Sequence, residues 1–182
     1  EPIERVFKCL KRNVMLNNYN IIAHNCAISN IDDLVTIYDY QDTVNPYSAT
    51  LNKDFSESLS NKVTARTVKS YSIDALLFNK IKDYSKILIK IDVEKHEPEV
   101  LSGMLKIIDI FSPIILIEIL SDEVGYRIEE ILSQFNYFFY EVIEGAGLKE
   151  RKNLTVNNNN SGKNFLLVRN KNLSERIIKY LI

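Results

Sequence analysis

Glycine is scarce in this chain. Five stand among 182 residues, at Gly103, Gly125, Gly145, Gly147 and Gly162. None builds a Gly-x-Gly-x-x-Gly turn between a strand and a helix, so the dinucleotide fingerprint is absent. The Walker phosphate loop and the Gly-x-Ser-x-Gly nucleophile turn are absent too. Gly145-Ala-Gly147 follows a strand but leads into a charged segment, and reads as a plain turn. Cysteine is scarcer still. Cys9 and Cys26 give no disulfide framework and no metal-ligand spacing, and read as two reduced thiols. Neither sign of charge dominates: 23 Lys and Arg stand against 24 Asp and Glu. That balance argues against nucleic acid or an anionic membrane as partner. No run approaches the roughly 18 apolar residues of a membrane span. The longest, Pro113 to Ile117, stops at Glu118. No secretion signal opens the chain, which points to the cytoplasm. Glu1-Pro2 without a methionine suggests a processed, trimmed or partial chain.

What remains is an ordinary globular composition, 46% hydrophobic and 26% charged, long enough for one domain with a sizeable core. Ile3, Val6, Phe7, Leu10, Val14 and Leu16 recur at helical spacing, with Lys8, Lys11 and Arg12 opposite, and Asn17-Asn18 ends the helix. Asn20 to His24 reads as a short strand, closed by Asn25–Ser29. Residues 30–75 change character. Leu34–Tyr38 and Val63–Val68 show β-branched alternation. A long polar loop joins them, and a short helix follows near Ile73–Phe78. This stretch is expected to be an insertion or cap within a single domain spanning 1–182. From Ile87 the order is strand (Ile87–Ile91), helix (Pro98–Ile110), strand (Ile114–Ile119), helix (Val124–Phe135), then strands at Tyr137–Ile143 and Phe165–Val168. A polar loop containing Asn157–Asn160 separates the last two, and Leu173–Ile182 closes as a helix. Such alternation predicts an open, mostly parallel α/β sheet covered on both faces. The last two strands have no helix between them, so one is expected to be antiparallel.

Open α/β sheets bind ligands beyond the C-terminal ends of their strands. Two strands here end in acids, at Asp92 and at Glu118. If the backbone stays extended past Asp92, then Asp92, Glu94 and His96 share one side. Such a group can do acid–base work or hold a cation. Glu97 and Glu99 fall in the first turn of the next helix, where negative charge is favoured for structural reasons. His96 is equally open to a capping role. A metal site lacks a second histidine at a defined spacing.

The segment Ile89-Lys-Ile-Asp-Val-Glu-Lys-His-Glu-Pro-Glu-Val-Leu101 resembles the signature of the FkbM family of S-adenosylmethionine-dependent methyltransferases, and Ser102-Gly103 follows in register. Pro113 to Glu118 resembles that family's next strand. Glu1-Pro2 with Leu10–Asn13 and Leu16-Asn17 is similar to its Glu-Pro and following helix. Asn25–Ser29, Ser72-Ile-Asp74 and Asn164–Val168 match further segments in order. Two departures stand out. Lys95 replaces the usual glycine, and a positive φ there would disfavour lysine. The family also carries a first strand and an Asp-x-Gly-x-Asn-x-Gly loop ahead of the Glu-Pro, and this sequence begins after them.

The resemblance implies a Rossmann-like class I methyltransferase sheet, mostly parallel with an antiparallel C-terminal strand, and S-adenosylmethionine as cofactor. It implies that Glu1 accepts from the ribose hydroxyls and that Asn25, Cys26 and Ala27 lie along the adenine. Asp92 would sit near the methionine end and the acceptor, Glu94 or His96 would be the base, and Glu118 would face the substrate. The family generally methylates oxygen on sugars, polyketides or related metabolites, so a small-molecule or glycan acceptor is expected. Tyr40 to Lys62 and Leu148 to Lys163 are expected lids on its side. The competing expectations are a catalytically incompetent binding fragment and a metal-dependent hydrolase built on Asp92, Glu94 and His96.

Overall fold

The apolar stripe of the first residues forms helix α1, Glu4–Leu16. Asparagine ends it. The Asn17 side-chain amide donates to the Asn13 carbonyl oxygen at 2.8 Å, and Asn18 turns left-handed at φ 51°, a conformation asparagine tolerates. The computed structural model describes residues 1–40, 49–59, 63–81, 87–156 and 163–169. The helix expected at Leu173–Ile182 and the loop Asn157–Asn160 lie outside the described residues.

Three strands form a first sheet, in order β1-β3-β2. Strand β1 is Ala27–Ile28, β2 is Leu34–Tyr40 and β3 is Val63–Tyr71. β2 and β3 pair antiparallel from Leu34↔Lys69 to Tyr40↔Val63, and β1 adds parallel to β3 at Ser70 and Tyr71. The expected strand at Asn20–His24 does not form. Pairing begins only at Ala27, and Ile22 is 84% exposed. A strand pattern without a neighbour to bond has nothing to hold it extended. The polar stretch before β3 also contains a helix, α2 at Lys53–Leu59, which β-branched patterning on either side did not announce. Helix α3, Ile73–Leu77, is capped by the Ser72 hydroxyl accepting from the Ala75 N–H at 3.2 Å, and a 3₁₀ turn at Phe78–Lys80 follows.

The second sheet has five strands. In chain order the elements are β4 Leu88–Ile91, α4 Glu97–Ser102, α5 Leu105–Phe111, β5 Ile114–Ile119, α6 Asp122–Leu132, β6 Phe138–Ile143, β7 Gly147–Arg151 and β8 Lys163–Val168. Across the sheet the order is β4-β5-β8-β6-β7. β4 and β5 pair in parallel, while β8 is antiparallel to both β5 and β6, and β7 returns antiparallel to β6. Three strands therefore run one way and two the other. The final strand β8 is antiparallel to both neighbours, but three of the four pairings are antiparallel, so the sheet among the described residues is not the mostly parallel one expected: β8 and β7 both return against β5 and β6. The hairpin strand β7 replaces what the charged residues after Gly147 suggested was loop. Glu141 on β6 accepts from Arg151 Nε at 2.6 Å and pairs with Lys163 Nζ at 3.1 Å, which ties β6 to both neighbours. Burial pushes this carboxyl up, but the hydrogen bonds and charges of Arg151 and Lys163 prevail and hold it below the usual range.

Burial along β5 alternates despite its unbroken apolar run. Ile115, Ile117 and Ile119 are fully buried, and Ile114, Leu116 and Glu118 are half-buried. The buried side packs against Leu101, Met104, Ile108, Ile128 and Leu132 of the helices. The opposite side carries a smaller cluster around Tyr140 and Val168. The expectation of equal cover on both faces thus holds on one face only. The single helix expected over Pro98–Ile110 is broken into α4 and α5. Two contacts explain the break. A Cβ on Gly103 would lie 2.2 Å from the Ser29 carbonyl oxygen, so the chain passes too close there for a side chain. The Asp74 carboxylate then accepts from the N–H groups of Lys106 and Ile107, both at 3.0 Å, and starts α5 afresh. No helix among the described residues is long and apolar enough to cross a membrane.

Gly125 in α6 is equally constrained, since a Cβ there would fall 1.8 Å from the Leu154 carbonyl oxygen. Backbone cannot swing aside as a side chain can. Gly125→Ala should cost about 1–3 kcal/mol and lower the melting temperature by several degrees, read by thermal denaturation. A variant melting with the parent would show that α6 does not depend on this approach.

Candidate active site

β4 carries its last core residue, Ile91, into the interior, and Asp92 emerges at the strand's C-terminal end. The chain then turns through Val93–His96 before α4 begins. The turn is made by two consecutive left-handed residues, Glu94 at φ 54° and Lys95 at φ 69°. Neither is glycine, so the conformation needs support from outside. Two contacts supply it. The Glu97 side chain, in a residue 1% exposed, folds back under the turn, where Oε1 accepts from the Val93 N–H at 3.2 Å. The Thr50 hydroxyl, from the stretch between β2 and α2, donates to the Glu94 carbonyl oxygen at 2.7 Å. Burial raises the Glu97 carboxyl to about 7, with the Asp92 charge adding to the rise and the backbone N–H groups of Glu97, Val93 and Lys95 opposing it.

The turn spreads the three expected residues rather than aligning them. Asp92 is joined by Lys90 Nζ at 2.6 Å and stands beside Glu118 at the end of the neighbouring parallel strand. Burial pushes the Glu118 carboxyl up, and the charge of Asp92 and a hydrogen bond with it push further, against Lys90. Glu94 is raised as well, by burial first and then by the charges of Asp92 and Glu118. These three acids form one coupled edge. His96 lines the same cavity, with its ring nitrogens turned to protein groups. Its Nε2 lies 2.9 Å from the Ser29 hydroxyl, and its Nδ1 is 3.5 Å from Glu99, whose other oxygen accepts from Arg127 of α6 at 2.5 Å. Burial lowers the imidazole's pKa, Glu99 pulls it back up and Arg127 lowers it again. With both ring nitrogens turned to protein partners, His96 joins the first sheet to α6. Glu94 is the better placed of the two candidate bases.

A cavity of about 520 Å³ opens at this edge, lined by Glu1, Cys26, Ala27, Asp92, Glu94 and His96 among others. It gathers residues from the N-terminus, the first sheet and the turn after β4. Ile28 and Ile37 add apolar wall from the first sheet, and Ala49 and Leu51 close one side. Burial raises the Cys26 thiol's pKa. Asn25 and Glu118 do not line this cavity. The Asn25 amide donates to the carbonyl oxygens of Glu1 and Pro2, at 2.9 and 3.3 Å, and so fixes the rim, while Glu118 acts on the cavity through Asp92. Among the described residues no group of three or more His, Cys, Asp or Glu side chains is arranged to hold a metal ion. Thr50, Ser29 and Arg127 were not singled out in the sequence, because hydroxyls and arginines far from the signature carry no local mark of such contacts.

With this geometry in hand, the chain can be compared with known proteins. The family model described as the methyltransferase FkbM domain matches residues 1–142. No curated protein matches the chain, and no solved structure does.

Two stability measurements test the turn. A left-handed non-glycine residue costs roughly 1–2 kcal/mol, and glycine's greater freedom when unfolded returns roughly 0.5–1 kcal/mol of that. Lys95→Gly should therefore stabilise the protein by about 0.5–1 kcal/mol in urea denaturation. No gain would mean that Lys95 is held by contacts worth as much as the strain. Glu97 predicts a pH dependence. Its folded pKa of about 7 lies above the ordinary 4.5, so the stability it contributes is complete below about pH 4.5 and is lost as pH rises through about 7. The urea midpoint should fall between pH 5 and pH 8 in the parent and fall less in Glu97→Gln. Equal slopes would sink the assignment.

Proposed function

We propose that this chain, which belongs to the FkbM family of methyltransferases, transfers a methyl group from S-adenosylmethionine to a hydroxyl of a sugar, a polyketide or a related small molecule. The observation that carries the reading is the single cavity joining Glu1, Cys26 and Ala27 to Asp92 and Glu94. Its volume falls within the roughly 300–1,000 Å³ of small-molecule sites. The residues present suit such a donor. Glu1 offers a carboxylate to accept from a ribose diol. Cys26, Ala27, Ile28 and Ile37 offer the apolar wall an adenine needs. The acids at Asp92, Glu94 and Glu118 place negative charge where a sulfonium and an ammonium carry positive charge. The strand order supports a Rossmann-like open sheet, with antiparallel β8 set between the co-directed β5 and β6.

When bound, S-adenosylmethionine supplies an electrophilic methyl group on a positively charged sulfur. The protein's part is placement and proton transfer. Alignment of the two reactants removes much of the barrier to an in-line displacement. Glu94 would accept the proton of the acceptor hydroxyl while the methyl carbon exchanges its bond to sulfur, released as a neutral thioether, for a bond to that oxygen. Its raised pKa brings it nearer neutrality than an ordinary carboxylate, which suits a general base. Asp92 would face the positive end of the donor, with Glu118 beside it outside the cavity lining. His96 keeps the turn anchored to Ser29 and α6 and leaves the base role to Glu94.

Calorimetry with S-adenosylhomocysteine tests the donor site. Glu1→Ala should weaken binding about tenfold or more, since hydrogen bonds to a charged group contribute roughly 1.5–3 kcal/mol. Unchanged affinity removes Glu1 from the site. Glu94→Gln should leave that affinity within a few-fold while lowering methyl transfer by about 10²–10⁴. Full turnover in this variant would discard Glu94 as the base.

A further inference from the structure

A second cavity, of about 620 Å³, lies between α1 and β3 on the other side of Pro2. Four cationic residues line it: Arg5, Lys8, Arg66 and Lys69. Two of them are organised from below. Asp39 on β2, in a residue 1% exposed, accepts from a terminal nitrogen of Arg5 at 2.7 Å through one oxygen and from Arg66 Nε at 2.9 Å through the other. One buried carboxylate thus fixes two half-exposed guanidinium groups and neutralises only one of them. Lys8 pairs with Glu4 at 3.2 Å on the helix surface. Four positive charges share this groove with the acids Glu4 and Asp39, in a chain whose formal net charge is −1. Anchoring α1 to the β2–β3 pair accounts for Arg5, Asp39 and Arg66. It does not account for Lys8 and Lys69, which are exposed and flank the same groove.

We infer that this groove binds a phosphate- or sulfate-class oxyanion carried by a small soluble molecule. Guanidinium groups match tetrahedral oxyanions through paired N–H donors. Here their side-chain freedom is already restricted by Asp39, so less ordering entropy is lost on binding. The concave shape and modest volume fit a small ligand, whereas a lipid surface is met by longer polybasic segments. Pro2 lines both cavities, so a ligand held here sits next to the proposed methyl-transfer site without depending on it.

Pyrophosphate is the probe. Isothermal titration at low salt should show saturable binding to the parent chain. Lys8→Glu with Lys69→Glu should weaken it tenfold or more, with an unchanged circular dichroism spectrum. These lysines lie outside the donor cavity, so S-adenosylhomocysteine affinity should stay the same in this variant. If the double reversal does not fold, Lys8→Gln with Lys69→Gln should still weaken pyrophosphate about threefold. The inference is overturned if pyrophosphate gives no saturable heat, or if the folded variant binds it as the parent does. Binding to vesicles of anionic phospholipid without binding to pyrophosphate overturns it equally and assigns the patch to a membrane. The two titrations are separate, so failure of the pyrophosphate arm leaves the donor site untouched, and failure of the donor arm leaves the groove.

Discussion

The candidate site depends on one buried carboxyl group. Glu97 sits under the turn from Asp92 to His96, where its Oε1 accepts from the Val93 N–H and the backbone N–H groups of Glu97 and Lys95 favour its charge. The left-handed pair Glu94 and Lys95 costs about 2–4 kcal/mol together. A single net hydrogen bond contributes about 1 kcal/mol, too little to hold such a turn alone. The Thr50 bond to the Glu94 carbonyl oxygen therefore works beside the bond from the Val93 N–H to Glu97. Remove the carboxyl and the turn loses its reason to curl. Asp92 would keep its place at the end of β4, but Glu94 and His96 would lose theirs.

That dependence also explains why the first sheet matters to a site built mainly on the second. Thr50 is buried, and its backbone bonds Tyr38 of β2 in both directions, at 2.8 and 3.1 Å. Its hydroxyl then reaches across to the turn. Ser29, just beyond β1, reaches His96, and its carbonyl oxygen lies against Gly103. The stretch expected as an insertion or cap thus supports the edge of the candidate site. It positions the turn from one side, and α6 positions it from the other through Arg127 and Glu99.

Much of this was legible in the sequence where local chemistry decides the outcome. The helical stripe before Asn17 and the apolar runs at β4 and β5 each announced their element, although Leu16 and Leu88 stand exposed. The doubt attached to Lys95 was also well placed, because a position that needs φ 69° is a poor home for lysine. What the sequence could not convey is set by distant partners. The strand pattern at Asn20–His24 has no neighbour to pair with. The break between α4 and α5 comes from Ser29 and Asp74, residues far away in the chain. The alternation argument that put His96 beside Asp92 assumed an extended backbone, and the Glu97 carboxyl curls it instead. Side-chain period is a property of backbone conformation, and a buried acid can change that conformation within five residues.

The electrostatics of the edge complete the argument. Burial raises the cost of ionising Glu94 and Glu118, and the charge of Asp92 adds to it at both, as the charge of Glu118 does at Glu94. A cation placed among them reverses that balance, since it stabilises the charged forms it faces. On the methyl-transfer reading, the donor's positive sulfur is such a cation, and its arrival favours the ionised form of Glu94. The base would then be poised only when the methyl group is present to be transferred. Coupling of this kind needs no moving part. It follows from three carboxyl groups held close by two parallel strand ends and a turn curled around a fourth.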